Sequence, residues 1–349
     1  MTNTKVNVLM TGAGAPGGPG IYKALNASEF FDVFTCDMNP LSTGILLNTD
    51  KSFVIPPAES PDFLDNILDI CIKNNISLIL PLVTMELFKF SKHRELFEKN
   101  GIKVLVSDYE TLEILNDKAK ILTHLKNLSL PHPDFRIASS KDSLINAVQA
   151  LGYPHNPVVI KPSVGNGSRG IRVLDPNING YDLLFNHKPS SLYSSLDAVI
   201  ESIGDNKIPE MVVSEFLPGD ELTIDTVINS GKILEFMVRT RESMRSGISI
   251  AGRFIDNPEV KEYISNIINS LNISTFRGNV GFQVKRSKFG KYLLLESNPR
   301  IQGTSVSAIG CGVNLPSLAV NAALGNEMNY FKKSNIYFSR YYDEVFYEE

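Results

Sequence analysis

Gly281-Phe-Gln-Val-Lys-Arg-Ser-Lys-Phe-Gly-Lys-Tyr-Leu-Leu-Leu-Glu-Ser-Asn-Pro-Arg300 is the stretch whose reading decides the fold. Val280 to Lys285 and Tyr292 onward read as two antiparallel strands joined by the polar turn Arg286 to Gly290. Side chains alternate across a strand, so Glu296 and Asn298 share one face while Leu295 and Ser297 take the other. Pairing through the turn sets Gln283 level with Glu296. A carboxylate with two carboxamides suits a hard divalent ion such as magnesium, especially when substrate phosphates supply the remaining oxygens. Arg300 then follows as a fixed cation for an anionic group. An ordinary solvated hairpin has no need of Gln283 followed by Glu-x-Asn-Pro-Arg behind an apolar run.

The chain has 349 residues, enough for two or three domains with cores of their own. Its 43% hydrophobic and 21% charged content is ordinary for a soluble globular protein, and 34 basic against 38 acidic residues leave no basic excess for nucleic acid. No apolar run approaches the span of a bilayer, and the first residues lack a signal-peptide pattern, so a cytoplasmic enzyme without membrane or nucleic-acid partners is expected. Cys36, Cys71 and Cys311 are widely spaced in apolar or small-residue surroundings, which predicts buried thiols and neither disulfides nor a zinc site.

The first hundred residues alternate between strand and helix. Val6 to Thr11, Val33 to Cys36, Ser77 to Leu82 and Ile102 to Val106 read as strands. Helices are expected from about Ile21 to Ala27, after the Ser60-Pro61 start, and from Met85 to Lys99. This is a small doubly wound parallel domain. Its glycine loop contains Gly12-x-Gly14-x-x-Gly17, with Asp37 twenty residues after Gly17. Read literally, that is a dinucleotide fingerprint. Pro16 and Pro19, however, remove amides a pyrophosphate would use. Three readings stay open: a dinucleotide site serving an NAD-dependent oxidoreductase, a substrate carboxylate at a helix N-terminus, or a tight turn.

Asn116-Asp117 opens a helix with Lys118 in its first turn, where a cation is disfavoured unless an anion partners it. Further on, Val158-Val-Ile-Lys161 is an apolar strand ending in a phosphate-seeking point charge. Gly165, Gly167 and Gly170 follow in a flap able to close over a nucleotide with its amides inward. The segment Met211 to Asp225 reads strand, turn, strand. There Glu215 can accept from an adenine amino group, the backbone at Phe216 and Leu217 can read the base edge, and Glu221 can take ribose hydroxyls. Arg239, Arg241 and Arg245 cluster behind it as an anion site.

Taken together, these segments resemble the ATP-grasp superfamily, and within it the branch similar to the large subunit of carbamoyl-phosphate synthase. The resemblance implies an α/β and α+β fold: a doubly wound parallel pre-ATP-grasp domain over 1–110, then a two-part ATP-grasp domain over 111–330. In that scheme a small lid subdomain covers about 134–215, a large subdomain about 216–330, and a tail 331–349. It further implies ATP and Mg (or Mn) as cofactors. Lys118, Lys161, Gly165, Gly167, Ser168, Gly170, Glu215, Phe216, Leu217 and Glu221 would hold the nucleotide. Gln283, Glu296 and Asn298 would hold the metal, and Arg300, Lys161 and Arg241 would act in catalysis. The chain departs from the synthase in showing one flap and one metal motif, and in carrying Ile301-Gln-Gly-Thr-Ser305 where the synthase has a further arginine. The expectation is therefore a stand-alone ligase joining a small carboxylate to an amine or ammonia, with a carbamoyl-phosphate-synthase-like kinase as the alternative and a homodimer left open.

Overall fold

The computed structural model describes residues 5–165, 167, 169–187, 191–245 and 247–347. A first sheet is formed by β1 (Val6–Thr11), β2 (Phe31–Asp37), β3 (Ser52–Val54), β4 (Leu78–Pro81) and β5 (Lys103–Val104), all parallel, in the order β3-β2-β1-β4-β5. Its helices are α1 (Gly18–Asn26), α2 (Thr43–Leu46), α3 (Phe63–Lys73), α4 (Thr84–Lys92), α5 (Arg94–Glu98) and α6 (Tyr109–Leu115). Alternation explains the layering: Val8, Met10, Val33 and Leu80 enter one core, while Leu9, Phe34, Cys36 and Ile79 enter another beneath α3 and α4. The helix expected over Met85 to Lys99 is two helices, because His93 leaves helical geometry at φ −114°. Helix α1 begins inside the glycine run, with Pro19 in its first turn, where a missing N–H costs nothing.

After α7 (Lys118–Asn127), β6 (Phe135–Ala138) and α8 (Lys141–Ala150), a second sheet adds β7 (Val158–Pro162), β8 (Arg172–Leu174), β9 (Tyr193–Ser194) and β10 (Met211–Glu215) in the order β6-β10-β7-β8-β9. Helices α9 (Gly180–Phe185) and α10 (Leu196–Ile203) occupy the polar stretch before β10. A reciprocal Ser140–Ser143 capping box starts α8.

The third sheet contains β11 (Glu221–Asn229), β12 (Lys232–Thr240), β13 (Ser243–Arg245), β14 (Ile248–Ile255), β15 (Arg277–Arg286) and β16 (Tyr292–Asn298), in the order β13-β14-β12-β11-β15-β16. Its two faces differ in kind. Leu222, Ile224, Phe282, Val284 and Leu294 form a core with Val260, Tyr263, Ile264, Ile267 and Ile268 of α11 (Pro258–Asn269), whose spacing is that of one helical stripe. Each aliphatic side chain so buried is worth roughly 1.5–3 kcal/mol. Over much of its length the opposite face carries charged and amide side chains. The carboxy-terminal part of the chain supplies α12 (Leu315–Leu324), which joins the first and third sheets through one continuous core, and β17 (Tyr337–Ser339), which pairs antiparallel with β14. Among the described residues no single helix is long and apolar enough to cross a membrane.

Two glycines mark close approaches, one to a backbone and one to a side chain. A Cβ on Gly17 would sit 2.2 Å from Gly303 Cα, so the amino-terminal glycine loop lies directly on the loop after Arg300. A Cβ on Gly281 would sit 1.6 Å from Gln302 Nε2. Because a backbone cannot swing aside as a side chain can, Gly17→Ala is expected to lower stability by about 1–3 kcal/mol, read as a fall in the urea midpoint at unchanged slope.

Candidate functional site

Strands β15 and β16 pair with Gln283 opposite Glu296 and Gly281 opposite Asn298, the register that the alternation of the sequence predicts. A bulge between Gln283 and Val284 turns the strand at this point. Gln283 Nε2 donates to Glu296 Oε1 at 2.9 Å and Asn298 Nδ2 donates to the same oxygen at 3.3 Å. Ser297, on the other face, donates to Leu115 O at 2.6 Å and anchors the strand to α6.

Two lysines from other elements converge on this carboxylate. Lys118 Nζ stands 3.6 Å from Glu296 Oε2, which supplies the anion that a lysine at a helix N-terminus requires. Its helix is held by Asp117, which caps the Ala119 and Lys120 amides and accepts from Ser163 Oγ, and by Lys118 N donating to Ser163 O at 2.9 Å. Lys161, fully buried at the end of β7, donates to Leu295 O at 2.9 Å and so spans the gap between the second and third sheets. Burial pushes its pKa down from 10.5 to about 8, against the pull of Glu296. Arg300 donates to Thr84 Oγ1 at 3.3 Å and to Ile301 O at 3.1 Å, and burial lowers its pKa despite Glu296 nearby.

The other expected residues lie along the rim. Arg241 is engaged by the protein at every nitrogen: Glu221 Oε1 at 2.9 Å, Thr223 Oγ1 at 3.1 Å and Gly247 O at 2.7 Å. Burial raises the pKa of Glu221, which Arg241 opposes. Glu215 Oε1 accepts from Asp134 N at 2.9 Å, Leu217 is buried, and Lys285 Nζ stands 5.3 Å from the Phe216 ring centroid. In the flap, Gly167 and Gly170 adopt φ of +67° and +74°, a conformation that favours glycine; Gly165 is exposed. Ser168 lies outside the described residues.

The glycine loop and Asp37 also meet, though not as a free ribose acceptor. Asp37 Oδ2 accepts from Gly14 N at 2.7 Å and Oδ1 from Asn39 N at 2.9 Å, so this carboxylate holds the turn closed. Sequence reasoning missed several neighbours. Glu86 is buried beside Thr11, which donates to it, and desolvation raises its pKa to about 8. Arg239, expected with Arg241 and Arg245 in an anion site, is instead buried against Asp225 at 3.0 Å, a partner the sequence did not reveal, and Ser305 Oγ donates to the other Asp225 oxygen at 2.7 Å.

Comparison with known proteins agrees with this architecture. Residues 207–341 match the family model described as ATP-grasp in the biosynthetic pathway with Ter operon, and residues 8–105 match the PylC-like N-terminal domain. The carbamoyl phosphate synthase large chain of Thermoanaerobacter sp. (strain X514) is 25% identical over 281 residues, 77% of this chain and 24% of the relative. The arginine-specific large chain of Bacillus subtilis (strain 168) is 27% identical over 60% of this chain and 19% of its own length. The chain thus carries an ATP-grasp match over residues 207–341 and is similar to the carbamoyl phosphate synthase large chain. It spans about a quarter or less of the length of these relatives.

Solved structures share the fold of this chain. An N5-carboxyaminoimidazole ribonucleotide synthetase in complex with ADP superposes at TM-score 0.69 and 13% identity, over 95% of this chain and 80% of the other. The biotin carboxylase domain of Hydrogenobacter thermophilus 2-oxoglutarate carboxylase, with MgADP and bicarbonate, gives 0.67 at 17% identity over 95% and 73%. An L-amino acid ligase from Bacillus licheniformis gives 0.62 at 15% identity over 92% and 74%.

Removing one partner of the buried pair leaves the other uncompensated. Asp225→Ala is expected to cost about 3–5 kcal/mol, measured by denaturant unfolding, and the double variant with Arg239→Met to recover most of that loss.

Proposed function

We propose that this chain is an ATP-dependent carboxylate–amine ligase that works through an acyl phosphate and releases ADP and phosphate. The observation that carries the proposal is a charge imbalance: Lys118, Lys161 and Arg300, all largely desolvated, gather about the Glu296 carboxylate, while the nearby Glu221 carboxylate is taken by Arg241. Buried cations are stable only when paired, so the site calls for further negative charge, and a nucleotide polyphosphate supplies it. ADP bound to structures of the same fold supports this reading.

In this proposal the first sheet is the pre-ATP-grasp domain, the second sheet and its glycine flap form the lid, and the third sheet is the platform. Lys161 and Lys118 neutralise charge as a substrate carboxylate oxygen attacks the terminal phosphorus and the bond to ADP breaks. Arg300 stabilises the acyl phosphate, and the flap excludes water that would hydrolyse it. An amine then attacks the carbonyl carbon, expelling phosphate and losing a proton. Gln283, Glu296 and Asn298 fit magnesium, since one carboxylate and two amides offer ligands but too little charge to dehydrate the ion without nucleotide. Among the described residues no cluster of three His, Cys, Asp or Glu competes for a metal. Bound there, the ion would supply Lewis-acid charge at the phosphate oxygens. A screen of carboxylate and amine pairs for ADP release tests the assignment; ATP consumption that no pair stimulates overturns it.

Two further outcomes follow from the site. Glu296→Gln should lower kcat by about a hundred- to thousandfold while weakening ATP binding far less, and magnesium titrated without nucleotide should bind only weakly by calorimetry. Lys161 adds a pH signature. Folding lowers its pKa to about 8, so it costs stability below that value and ceases to do so as pH rises toward 10.5. Bound polyphosphate acts in the opposite sense by holding the proton on. ATP affinity is expected to stay level below pH about 8 and to fall above it. Proton uptake on binding in that upper range, measured by calorimetry in two buffers, should vanish in Lys161→Met.

A further inference from the structure

The mechanism above makes no use of Arg340, a half-buried residue just past β17. Pairing of β17 with β14 carries it inward: Ser339 lies opposite Ala251, and Arg340 N donates to Ile250 O at 2.8 Å. Flanking contacts hold the segment, with Arg245 NH1 donating to Tyr342 Oη at 2.9 Å and the Arg253 guanidinium 5.5 Å from the Tyr337 ring. The guanidinium of Arg340 donates to Thr304 Oγ1 at 3.3 Å and to Pro16 O at 3.0 Å, both neutral acceptors.

Its charged surroundings are cationic. Burial, and after it the nearby Arg239, depress the pKa of Arg340 against a lesser pull from Tyr342, and among the described residues no carboxylate pairs with it. The acidic groups of this region are engaged elsewhere. Asp225 takes Arg239 and Ser305, Asp37 takes the Gly14 and Asn39 amides, and Asp343 stands 3.5 Å from Lys23. Among the described residues a buried donor of the neighbouring Arg239, NH1, also lacks a partner. Buried donors without acceptors are costly, and a desolvated cation without an anion more so.

The position is that of a ligand site. In the order β3-β2-β1-β4-β5 the topological switch falls between β1 and β4, and open parallel sheets bind ligands in the crevice at that point. Arg340 rests on Pro16 in the loop after β1. Arg300 rests on Thr84, the first residue of α4, just beyond the loop after β4. Thr11 pairs with Pro81, so the two loops leave the sheet level with each other on strands about 4.8 Å apart. The crevice therefore has a guanidinium on each side.

We infer that Arg340, with the free NH1 donor of Arg239, forms an anion subsite, and that the acceptor carries a second anionic group besides the carboxylate being activated. That group is a carboxylate or a phosphate-type anion. The substrate class rests on the ligase reading; the anion subsite does not. Calorimetry on the full chain saturated with MgADP tests it, comparing succinate and glutarate with butanoate and pentanoate, and phosphonoacetate with acetate. At least one dianion should bind about tenfold tighter than its monoanionic partner, the worth of a charged hydrogen-bonded contact. Which arm shows the preference identifies the second group. Arg340→Ala should abolish the preference at an unchanged melting temperature, and Arg340→Lys should keep part of it. Equal binding within every pair, or a preference that survives Arg340→Ala, overturns the inference. ADP release with the same acids and a panel of amines separates the two claims. Discrimination without stimulated release rejects the ligase reading and leaves the subsite standing, whereas release without discrimination does the reverse.

Discussion

The Glu296 carboxylate is the point on which the arrangement depends. Its oxygens hold Gln283, Asn298 and Lys118, and the neighbouring Leu295 carbonyl holds Lys161. Those side chains come from β15, β16, α7 and β7, so one residue organises parts of two sheets and the helix between them. The attraction is strong because the groups are shielded from water, and for the same reason it is incomplete. One negative charge cannot balance three desolvated cations. The site thus retains electrostatic potential for a polyanion, in a geometry set before the ligand arrives.

The platform beneath this carboxylate works by division of faces. On β11, Leu222 and Ile224 bury themselves against α11 while Glu221, Thr223 and Asp225 stand on the other side. A strand obliges this alternation, and the apolar face supplies stability that the polar face does not. Asp225 and Arg239 show what the polar face costs, since a buried ion pair earns little by itself and must be satisfied by further groups such as Ser305. The amino-terminal sheet then closes one end. Gly17 against Gly303 permits a backbone approach that any side chain would prevent, and brings the loops after β1 and β4 over the Arg300 side of the platform.

Much of the site could be read from spacing because its residues lie on short, regular elements. The pairing of Gln283 with Glu296 follows from strand alternation and a short turn, and the need of Lys118 for an anion follows from its place at a helix start. Lys161 announces itself as a charge ending an apolar strand. The glycine fingerprint was ambiguous for the opposite reason: spacing alone does not say whether Asp37 faces a ribose or the Gly14 amide, and here it takes the amide. Glu86 and Asp225 gave little signal, since a single acid in a helix or strand is ordinarily exposed and only the fold reveals its burial.

Local order and composition thus determined the doubly wound first sheet, the glycine flap and the Gln283–Glu296–Asn298 face, since alternation, helical spacing and caps act over a few residues. Tertiary structure alone decided which distant segments meet: Lys161 on Leu295, Gly17 on Gly303, Arg340 on Pro16. The 331–349 segment shows the limit most plainly. As sequence it is an aromatic, charged tail without a periodic face. In the fold it adds a strand to β14, and that backbone pairing, which no side-chain pattern encodes, carries Arg340 to the crevice.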